Sequence, residues 1–257
     1  MSALAGRLAL VTGASRGIGA AIAVAFREAG ARVIRVARSL AAGEHDGFYD
    51  APCDLSNPAA VEQLAGNVLT QVGTPDIVVN NAGVFDRIPF EQTTVAELER
   101  QLAVNLVAPF AIARSFLPPM RQRGDGQLIT IGSVADHRAF PENTIYSTTK
   151  FGVRGLHETL ALEYRGTGVR CTLVSPGSTD TPIWDPVDPE NRRGTVPRRL
   201  MLKPEDVAEA VLFIATRPAR VHVEWLRMLP VARPTTATAT ATANHRGAEA
   251  RRTPPAL

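Results

Sequence analysis

A chain of 257 residues is long enough for one sizeable α/β domain or two small ones, and its 45% hydrophobic and 21% charged residues are typical of a globular protein. The formal net charge is only +3, so no basic face is indicated and nucleic acid is an unexpected partner. No long uninterrupted apolar run and no signal-peptide pattern is present, so we expect a cytoplasmic protein that does not contact a membrane.

Short apolar, β-branched runs alternate along the chain with longer segments of helical periodicity. The predicted strands are 7–12, 31–36, 47–52, 76–80, 126–133, 169–175 and 221–228, and the predicted helices are 17–29, 58–72, 94–122, 144–166 and 204–216. The strands show little polar alternation, which indicates burial on both faces, as in a parallel sheet covered by helices. The pattern predicts an α/β fold, a single-domain, Rossmann-like doubly wound parallel sheet of about seven strands flanked by helices.

Several connecting segments carry their own signals. Residues 37–47, ARSLAAGEHDG, are too few for a covering helix, so a loop or brief turn is predicted there. Residues 180–203 are rich in Pro and charge and follow the end of a strand, where ligands bind in such sheets, so we predict a substrate lid. Residues 1–233 are predicted to form the domain, and the low-complexity segment 234–257 a disordered tail. Cys53 and Cys171 lie in apolar runs without a CxxC pattern, which predicts buried free thiols.

The glycine-rich segment TGASRGIG (12–19) lies between the first predicted strand and the first predicted helix. In that context Gly13 permits a tight turn, Gly17 lets the backbone approach a diphosphate, and Gly19 allows close packing of the helix. The N–H groups at the start of the helix then face the anion. The spacing is GxxxGxG rather than GxGxxG, and a turn that only connects two elements is the alternative. Its position favours a dinucleotide site.

The segment YSTTK (146–150) places Tyr146 and Lys150 one helical turn apart on the same face. Such a pair also occurs by chance on helix surfaces. Ser133 lies at the end of a predicted buried strand and can point into the same cleft, although it could instead bond its own backbone. A phenol titrates near pH ~10, and a cation one turn away and the oxidised nicotinamide of a bound dinucleotide both favour the phenolate, so we expect its proton transfer to move closer to working pH.

Together these motifs resemble the short-chain dehydrogenase/reductase family over about residues 5–230, in its single-domain, NADP-preferring type. The matching segments are TGASRGIG (12–19), NNAG (80–83), AVNLVAP (103–109), ITIGSVA (129–135), YSTTK (146–150) and SPGSTDT (175–181). The resemblance implies that Tyr146 is the general acid/base and that Lys150 is its electrostatic partner and a ligand of the nicotinamide ribose. It implies that Ser133 bonds the substrate oxygen and that Asn105 anchors a water in the proton relay.

The resemblance also implies an NADP(H) site. Its predicted residues are Gly13, Ser15, Arg16, Gly17, Ile18, Gly19, Arg38, Asp54, Leu55, Asn80, Asn81, Ala82, Gly83, Tyr146, Lys150, Pro176, Gly177, Thr179 and Thr181. An NAD-preferring site usually has an acid at the end of the second strand, where this chain has Ala37 followed by Arg38. Guanidinium groups of Arg16 and Arg38 suit the 2′-phosphate of NADP, whereas both could instead face water.

The predicted activity is NADP(H)-dependent interconversion of a secondary alcohol or hydroxy acid and a ketone or aldehyde. The alternatives are a non-catalytic NADP-binding regulator and an isomerase or epimerase. Predicted substrate residues are Ser133, His137, Tyr146 and Trp184, with Phe85 also expected near the substrate. His157 is assigned to packing or an interface, and the acidic pair Asp185 and Asp188 to a solvated loop, so no metal site is predicted. The resemblance implies a homodimer or homotetramer acting on a small molecule.

Overall fold

A computed structural model describes residues 2–231, which contain eight strands and six α-helices. The strands are β1 (Leu8–Thr12), β2 (Arg32–Val36), β3 (Gly43–His45), β4 (Phe48–Ala51), β5 (Ile77–Asn80), β6 (Gly126–Ile131), β7 (Val169–Pro176) and β8 (Trp225–Met228). The helices are α1 (Gly17–Glu28), α2 (Pro58–Gln71), α3 (Val95–Leu102), α4 (Ala108–Arg123), α5 (Thr144–Glu163) and α6 (Pro204–Ala215). The predicted α/β fold class is confirmed, while the predicted tail at 234–257 lies outside the described residues.

The strands form one sheet in the order β3-β4-β2-β1-β5-β6-β7-β8. Within the described chain, every neighbouring pair is parallel except β3 with β4. The chain first moves outward from β1 through β2 to β4 and then returns to the other side of β1 at β5. This reversal opens a crevice at the carboxyl ends of β1 and β5, which is where open α/β sheets bind ligands.

Both faces of the sheet are covered, as the lack of alternation in the strands predicts. Residues Leu8 and Leu10 of β1 point into a core shared with α2 and α4, where Ile112 and Phe116 are buried. The alternate residues Ala9 and Val11 point into a second core shared with α1 and α6, in which Ile22, Phe26 and Val211 are buried. A strand with two buried faces holds the residues at its carboxyl end rigidly.

Residues 37–47 do not form the predicted loop throughout, because Gly43–His45 make the short edge strand β3. This strand pairs antiparallel with β4, and His45 lies opposite Phe48. The two connecting residues, Asp46 and Gly47, both have positive φ, 52° and 76°. A two-residue Asp-Gly turn of this kind is a strong hairpin signal in a sequence. The prediction of about seven strands missed this strand.

The helix predicted at 94–122 is interrupted. A π-helical turn, Ala103–Val107, separates α3 from α4. By length and composition the whole segment Val95–Arg123 could cross a membrane, but core helices meet the same criterion. Here Ile112, Phe116 and Met120 are buried in the core, so we interpret α4 as a core helix. The two cysteines are buried free thiols, as predicted.

Candidate active site

The glycine turn between β1 and α1 is shaped by close backbone contacts. Gly13 and Gly17 have φ of 66° and 57°, in the left-handed region that glycine adopts easily. A Cβ on Gly13 would come within 2.8 Å of Ala82 Cα, and a Cβ on Gly19 would overlap the side chain of Asn81. The loop after β5 therefore lies directly on the glycine turn, and both line one cleft.

The loop after β5 is fixed to β1 by a buried hydroxyl. Thr12 Oγ1 accepts hydrogen bonds from the backbone N–H groups of Asn81 and Ala82, at 3.0 and 3.1 Å. Asn81 Nδ2 donates to Thr12 O at 2.9 Å. Asn80 has a different place, because its side chain is buried and donates to Pro109 O at 3.2 Å. Asn80 therefore anchors α4 to the sheet rather than lining the cleft.

The cleft at the carboxyl ends of the strands has a volume of about 720 Å³. Most of the predicted site residues line it, from both halves of the sheet, namely Gly13, Ser15, Arg16, Gly17, Ile18, Arg38, Asp54, Leu55, Asn81, Ala82, Gly83, Ser133, Tyr146, Lys150, Pro176, Gly177, Thr179, Thr181 and Trp184. The predicted residues that do not line it are Gly19, Asn80, Asn105 and His137. The structure thus brings the glycine turn and the YSTTK segment to a single cavity.

Tyr146, Lys150 and Ser133 meet at the first turns of α5 and the end of β6. Lys150 Nζ lies 5.7 Å from the centre of the Tyr146 ring and donates to Ile131 O at 3.1 Å. Ser133 Oγ accepts the N–H of Ala135 at 3.1 Å, so the backbone bond considered as an alternative is present. The same hydroxyl is near enough to Tyr146 to lower the pKa of the phenol. Since a hydroxyl can donate as well as accept, Ser133 can still donate a hydrogen bond to an oxygen bound in the cleft.

Burial governs the acidity of this pair. Burial raises the pKa of Tyr146 to about 12, and the nearby Asp136 charge also raises it, while the Ser133 hydroxyl acts in the opposite direction. Burial lowers the pKa of Lys150 to about 8, against the effect of Asp136. The protein's own groups therefore raise the pKa of Tyr146, because burial destabilises the phenolate by more than the neighbouring side chains stabilise it. Tyr146 holds its proton at neutral pH.

Asn105 lies in the π-helical turn and is almost completely buried. Its Oδ1 accepts from Val84 N at 2.8 Å, and its Nδ2 donates to Val84 O at 2.9 Å and to Thr149 Oγ1 at 3.0 Å. Thr149 Oγ1 in turn donates to Tyr146 O at 2.8 Å. The amide thus ties the loop after β5 to the turn of α5 that carries Tyr146. Anchoring of a relay water by Asn105 remains a prediction.

Asp136 was missed as a functional candidate. Its side chain is fully buried and accepts hydrogen bonds from Ser133 N at 3.1 Å and Ser175 Oγ at 2.6 Å. Gly132 leaves the space for it, because a Cβ at that position would overlap Asp136 Oδ2. Ser133 and Asp136 form a capping box around a 3₁₀ turn, and the S-x-x-D spacing is the sequence signal that could have revealed it.

His137 is held away from the cleft by this arrangement. Its Nδ1 lies 2.7 Å from Asp136 Oδ1, and its Nε2 lies 3.0 Å from Arg227 Nη1. The ring packs edge-on against Trp225 with 5.5 Å between centroids. His137 therefore faces β8, and the substrate contact predicted for it does not fit this placement.

Aromatic side chains cover Tyr146 from the substrate end of the cleft. Phe85 packs against Tyr146 with 4.7 Å between ring centroids and against Trp184 with 5.3 Å. Trp184 belongs to a 3₁₀ turn, Pro182–Val187, within the predicted lid. Arg198 holds the lid together through Asp180 and Asp185, at 2.8 and 2.6 Å. The lining residues that the sequence did not single out include Arg87, Phe140, Asn143, Gly194, Thr195 and Val196.

The other end of the cleft has the charge pattern expected for a phosphorylated ribose. Arg16 and Arg38 are exposed and line the cleft, whereas Arg35 is committed to a bidentate pair with the buried Asp50, with both bonds at 2.7 Å. Asp54 has its pKa lowered by hydrogen bonds from Ser56 and, more weakly, by the charge of Arg38. Free guanidinium groups without an acid at the end of β2 fit NADP better than NAD.

Residues 2–231 contain no group of three or more His, Cys, Asp or Glu side chains placed to hold a metal ion.

Comparison with known proteins gives matches over most of the chain. The short chain dehydrogenase family model matches residues 7–192. An uncharacterised oxidoreductase of Staphylococcus aureus (strain N315) is 34% identical over 241 residues, which cover 90% of this chain and 100% of that protein. D-threitol dehydrogenase of Mycolicibacterium smegmatis (strain ATCC 700084) is 34% identical over 232 residues, which cover 84% of this chain and 88% of that protein. A solved metagenomic short-chain oxidoreductase in complex with NADP is 32% identical with a TM-score of 0.75, covering 90% of this chain and 100% of that one.

Proposed function

The chain belongs to the short chain dehydrogenase family, and on that premise we propose that it is an NADP(H)-dependent oxidoreductase. Its reaction interconverts a secondary alcohol or hydroxy acid and the corresponding ketone or aldehyde. The observation that carries the proposal is the meeting of Ser133, Tyr146 and Lys150 in the same cleft as the glycine turn. A protein that only binds the dinucleotide has no need of a partly buried tyrosine beside a buried lysine with a lowered pKa.

NADPH, when bound, supplies the hydride that no protein side chain can provide. In the reducing direction Ser133 donates a hydrogen bond to the carbonyl oxygen, and Tyr146 transfers its hydroxyl proton to that oxygen. A pKa of about 12 keeps Tyr146 protonated before the transfer. Lys150, with a pKa of about 8, is largely charged at neutral pH and stabilises the phenolate that results. Alcohol oxidation runs these steps in reverse.

Two features support NADP(H) over NAD(H). Arg16 and Arg38 present free guanidinium groups at the mouth of the cleft, and Ala37 stands where an acid would bind the ribose hydroxyls. The similar metagenomic enzyme was solved in complex with NADP. We assign to residues 180–203 the role of a lid, because Ile183 and Trp184 cover the substrate end.

The activity is tested by following NADPH absorbance against a panel of ketones and aldehydes. Tyr146→Phe removes the proton donor and should lower kcat/KM by roughly 100-fold or more, while NADPH binding is kept. Tyr164→Phe, at the far end of the same helix, is the matched control and should change little. Tight NADPH binding with no consumption on any carbonyl would favour the non-catalytic regulator.

The cofactor preference is tested by comparing kcat/KM for NADPH and NADH. Arg38→Ala should lower the NADPH value roughly 10- to 100-fold, because a charge-assisted hydrogen bond to the 2′-phosphate is lost, and should leave the NADH value unchanged. Arg32→Ala, at the opposite end of β2, is the control. A wild-type preference for NADH would overturn the assignment.

A further inference from the structure

Arg87 lies in the wall of the substrate end of the cleft, with its side chain only 13% exposed. Its Nη1 donates to Arg193 O at 3.3 Å. Its Nε lies 2.9 Å from Glu142 Oε2, but the N–H is not aligned to make a hydrogen bond, and Nε is buried without a partner among the described residues. Nη2 makes no hydrogen bond to the described residues and would lie 3.7 Å from a Cβ on Gly194, which lines the cleft, so this end of the guanidinium keeps donor capacity next to the cavity.

Glu142 does not neutralise this region, because two arginines share its carboxylate. Its Oε2 also accepts from Arg192 Nη2 at 2.8 Å, so one negative charge lies between two positive charges. The backbone of Glu142 is in the left-handed region, with φ of 63°, and its carbonyl accepts the N–H of Ile88 at 2.9 Å. Arg87, Glu142 and Arg192 thus form a fixed cluster that keeps a net positive charge at the cleft wall.

Asn143 adds a second unpaired polar atom to the same wall. Its Nδ2 donates to Pro141 O at 3.1 Å, which sets the orientation of the amide, and its Oδ1 is buried without a partner among the described residues. It also lies one helical turn before Tyr146, on the same side of α5. Asn143 Oδ1 is an acceptor and pairs with a donor such as a hydroxyl, whereas the guanidinium of Arg87 is a donor and pairs with an anion. An alkyl group at either place would leave a polar atom unpaired, which weakens binding.

The charged side chains that line the cleft indicate which kind of polar group a substrate would carry. The charged residues of the described lining are Arg16, Arg38, Asp54, Arg87 and Lys150. Asp54 follows β4 and lies near Arg38, at the end assigned to the cofactor. At the substrate end the charged side chains in the described lining are both cations, Arg87 and Lys150. Aromatic side chains, including Phe85 and Trp184, also line that end. In such a site an anionic group is favoured over a neutral one.

We infer that the substrate carries a carboxylate, which the guanidinium of Arg87 binds while the reacting carbon lies at Ser133 and Tyr146. The inference rests on the proposed function and narrows it to oxo acids and hydroxy acids. A guanidinium edge matches the two oxygens of a carboxylate, and one available guanidinium suits a single negative charge better than a phosphate dianion.

The test compares acetoacetate with its methyl ester, which present the same ketone with and without the charge. With saturating NADPH, the wild type should prefer acetoacetate in kcat/KM by about 10-fold or more. Arg87→Gln should lower the kcat/KM for acetoacetate roughly 10- to 100-fold, mainly through KM, and lower that for the ester by about 3-fold at most. Arg199→Gln is the matched control, because this exposed arginine of the segment 180–203 does not line the cleft, and it should affect both compounds alike.

A readout independent of turnover is the melting temperature of the NADPH-saturated protein with butyrate or butyramide. Butyrate should raise the Tm, butyramide should not, and Arg87→Gln should abolish the difference. Equal effects of the two compounds, or an Arg87→Gln variant that loses acetoacetate and ester activity equally, would overturn the carboxylate site. A butyrate effect without reduction of any carbonyl would instead remove the proposed function and leave the anion site standing.

Discussion

At the scale of single residues, one buried carboxylate acts on both members of the Tyr–Lys pair. The charge of Asp136 raises the pKa of Tyr146 and that of Lys150. We expect Asp136→Asn to lower both values, because it removes a negative charge while keeping an acceptor for the N–H of Ser133. In alcohol oxidation, where Tyr146 must lose its proton, the rise of kcat/KM with pH should begin at lower pH in the variant.

The control for this measurement is Asp46→Asn, which also removes one negative charge, but from the hairpin turn between β3 and β4. Asn tolerates the left-handed conformation found there, so the fold should be kept. A loss of activity at every pH, with the profile unmoved, would show that Asp136 only holds Ser133 in position.

We expect the charge of Lys150 to be required for activity and to lower the stability of the fold. Its pKa is about 8 in the folded chain, against 10.5 in an unfolded one, so below about pH 8 the folded state bears the full cost of a buried charge. That cost disappears between about pH 8 and the unfolded value, because the folded state then releases the proton first. We expect Lys150→Met to abolish activity and to stabilise the fold by about 1–3 kcal/mol near neutral pH.

Denaturant unfolding of wild type and Lys150→Met at about pH 7 and about pH 10 checks this sign. The difference in unfolding free energy should shrink at the higher pH. A variant less stable than wild type at both values would mean that the bond from Nζ to Ile131 O outweighs the cost of burying the charge.

At the scale of elements, α5 carries the site and also part of the core. Tyr146, Lys150, Val153 and His157 recur at helical spacing on the side facing the sheet. His157 is buried, and its Nδ1 lies 3.1 Å from Thr130 Oγ1. Burial, followed by the nearby His222, lowers its pKa to about 4. The packing role predicted for His157 fits this placement.

The lowered pKa of His157 predicts that the folded state loses stability in acid. Above the ordinary histidine value of 6.5, His157 is neutral in folded and unfolded chains alike; between 6.5 and about 4 the unfolded chain binds a proton that the folded chain excludes. Stability should fall over that window by up to about 3 kcal/mol. His157→Gln should flatten this dependence in unfolding experiments, while His45→Gln, in an exposed strand, should not. If unfolding free energy fell with pH at the same slope in wild type, His157→Gln and His45→Gln, His157 would not be the group responsible.

At the scale of the whole molecule, apolar residues on α4 and α5 remain exposed. Phe110 on α4 is 49% exposed and Phe151 on α5 is 46% exposed, and Val107, just before α4, and Leu162, near the end of α5, are also exposed. Large apolar side chains exposed on neighbouring elements of a folded domain commonly mark an interface. This supports the homodimer or homotetramer that the family resemblance implies.

We predict that Phe110→Glu combined with Phe151→Glu lowers the molecular mass in solution, because it places charges in a surface meant to be buried between copies. Sedimentation or light scattering measures the change, with circular dichroism as a check on folding. Val24→Glu, on α1, is the control for an added surface charge. A wild type that is already monomeric would refute the oligomer prediction.

Local patterns in the sequence predicted most of the helices and strands and many of the residues that line the cleft. Buried strands, amphipathic helices and the glycine turn depend on neighbours within a few residues, so their periodicity and spacing are readable directly. The missed strand β3 was also locally encoded, in Asp46-Gly47. The resemblance of the motifs grouped Ser133, Tyr146 and Lys150, and the structure brings all three to one cleft, while their catalytic roles stay predictions.

Only the tertiary structure determined the pKa values of the site residues and the contacts that these residues make with distant segments. Burial raised the pKa of Tyr146, and Asp136 turned His137 away from the cleft. Arg87 and Arg192 come from separate segments and meet at Glu142. Desolvation and charge sharing depend on which distant segments pack together, and a one-dimensional pattern does not contain that information.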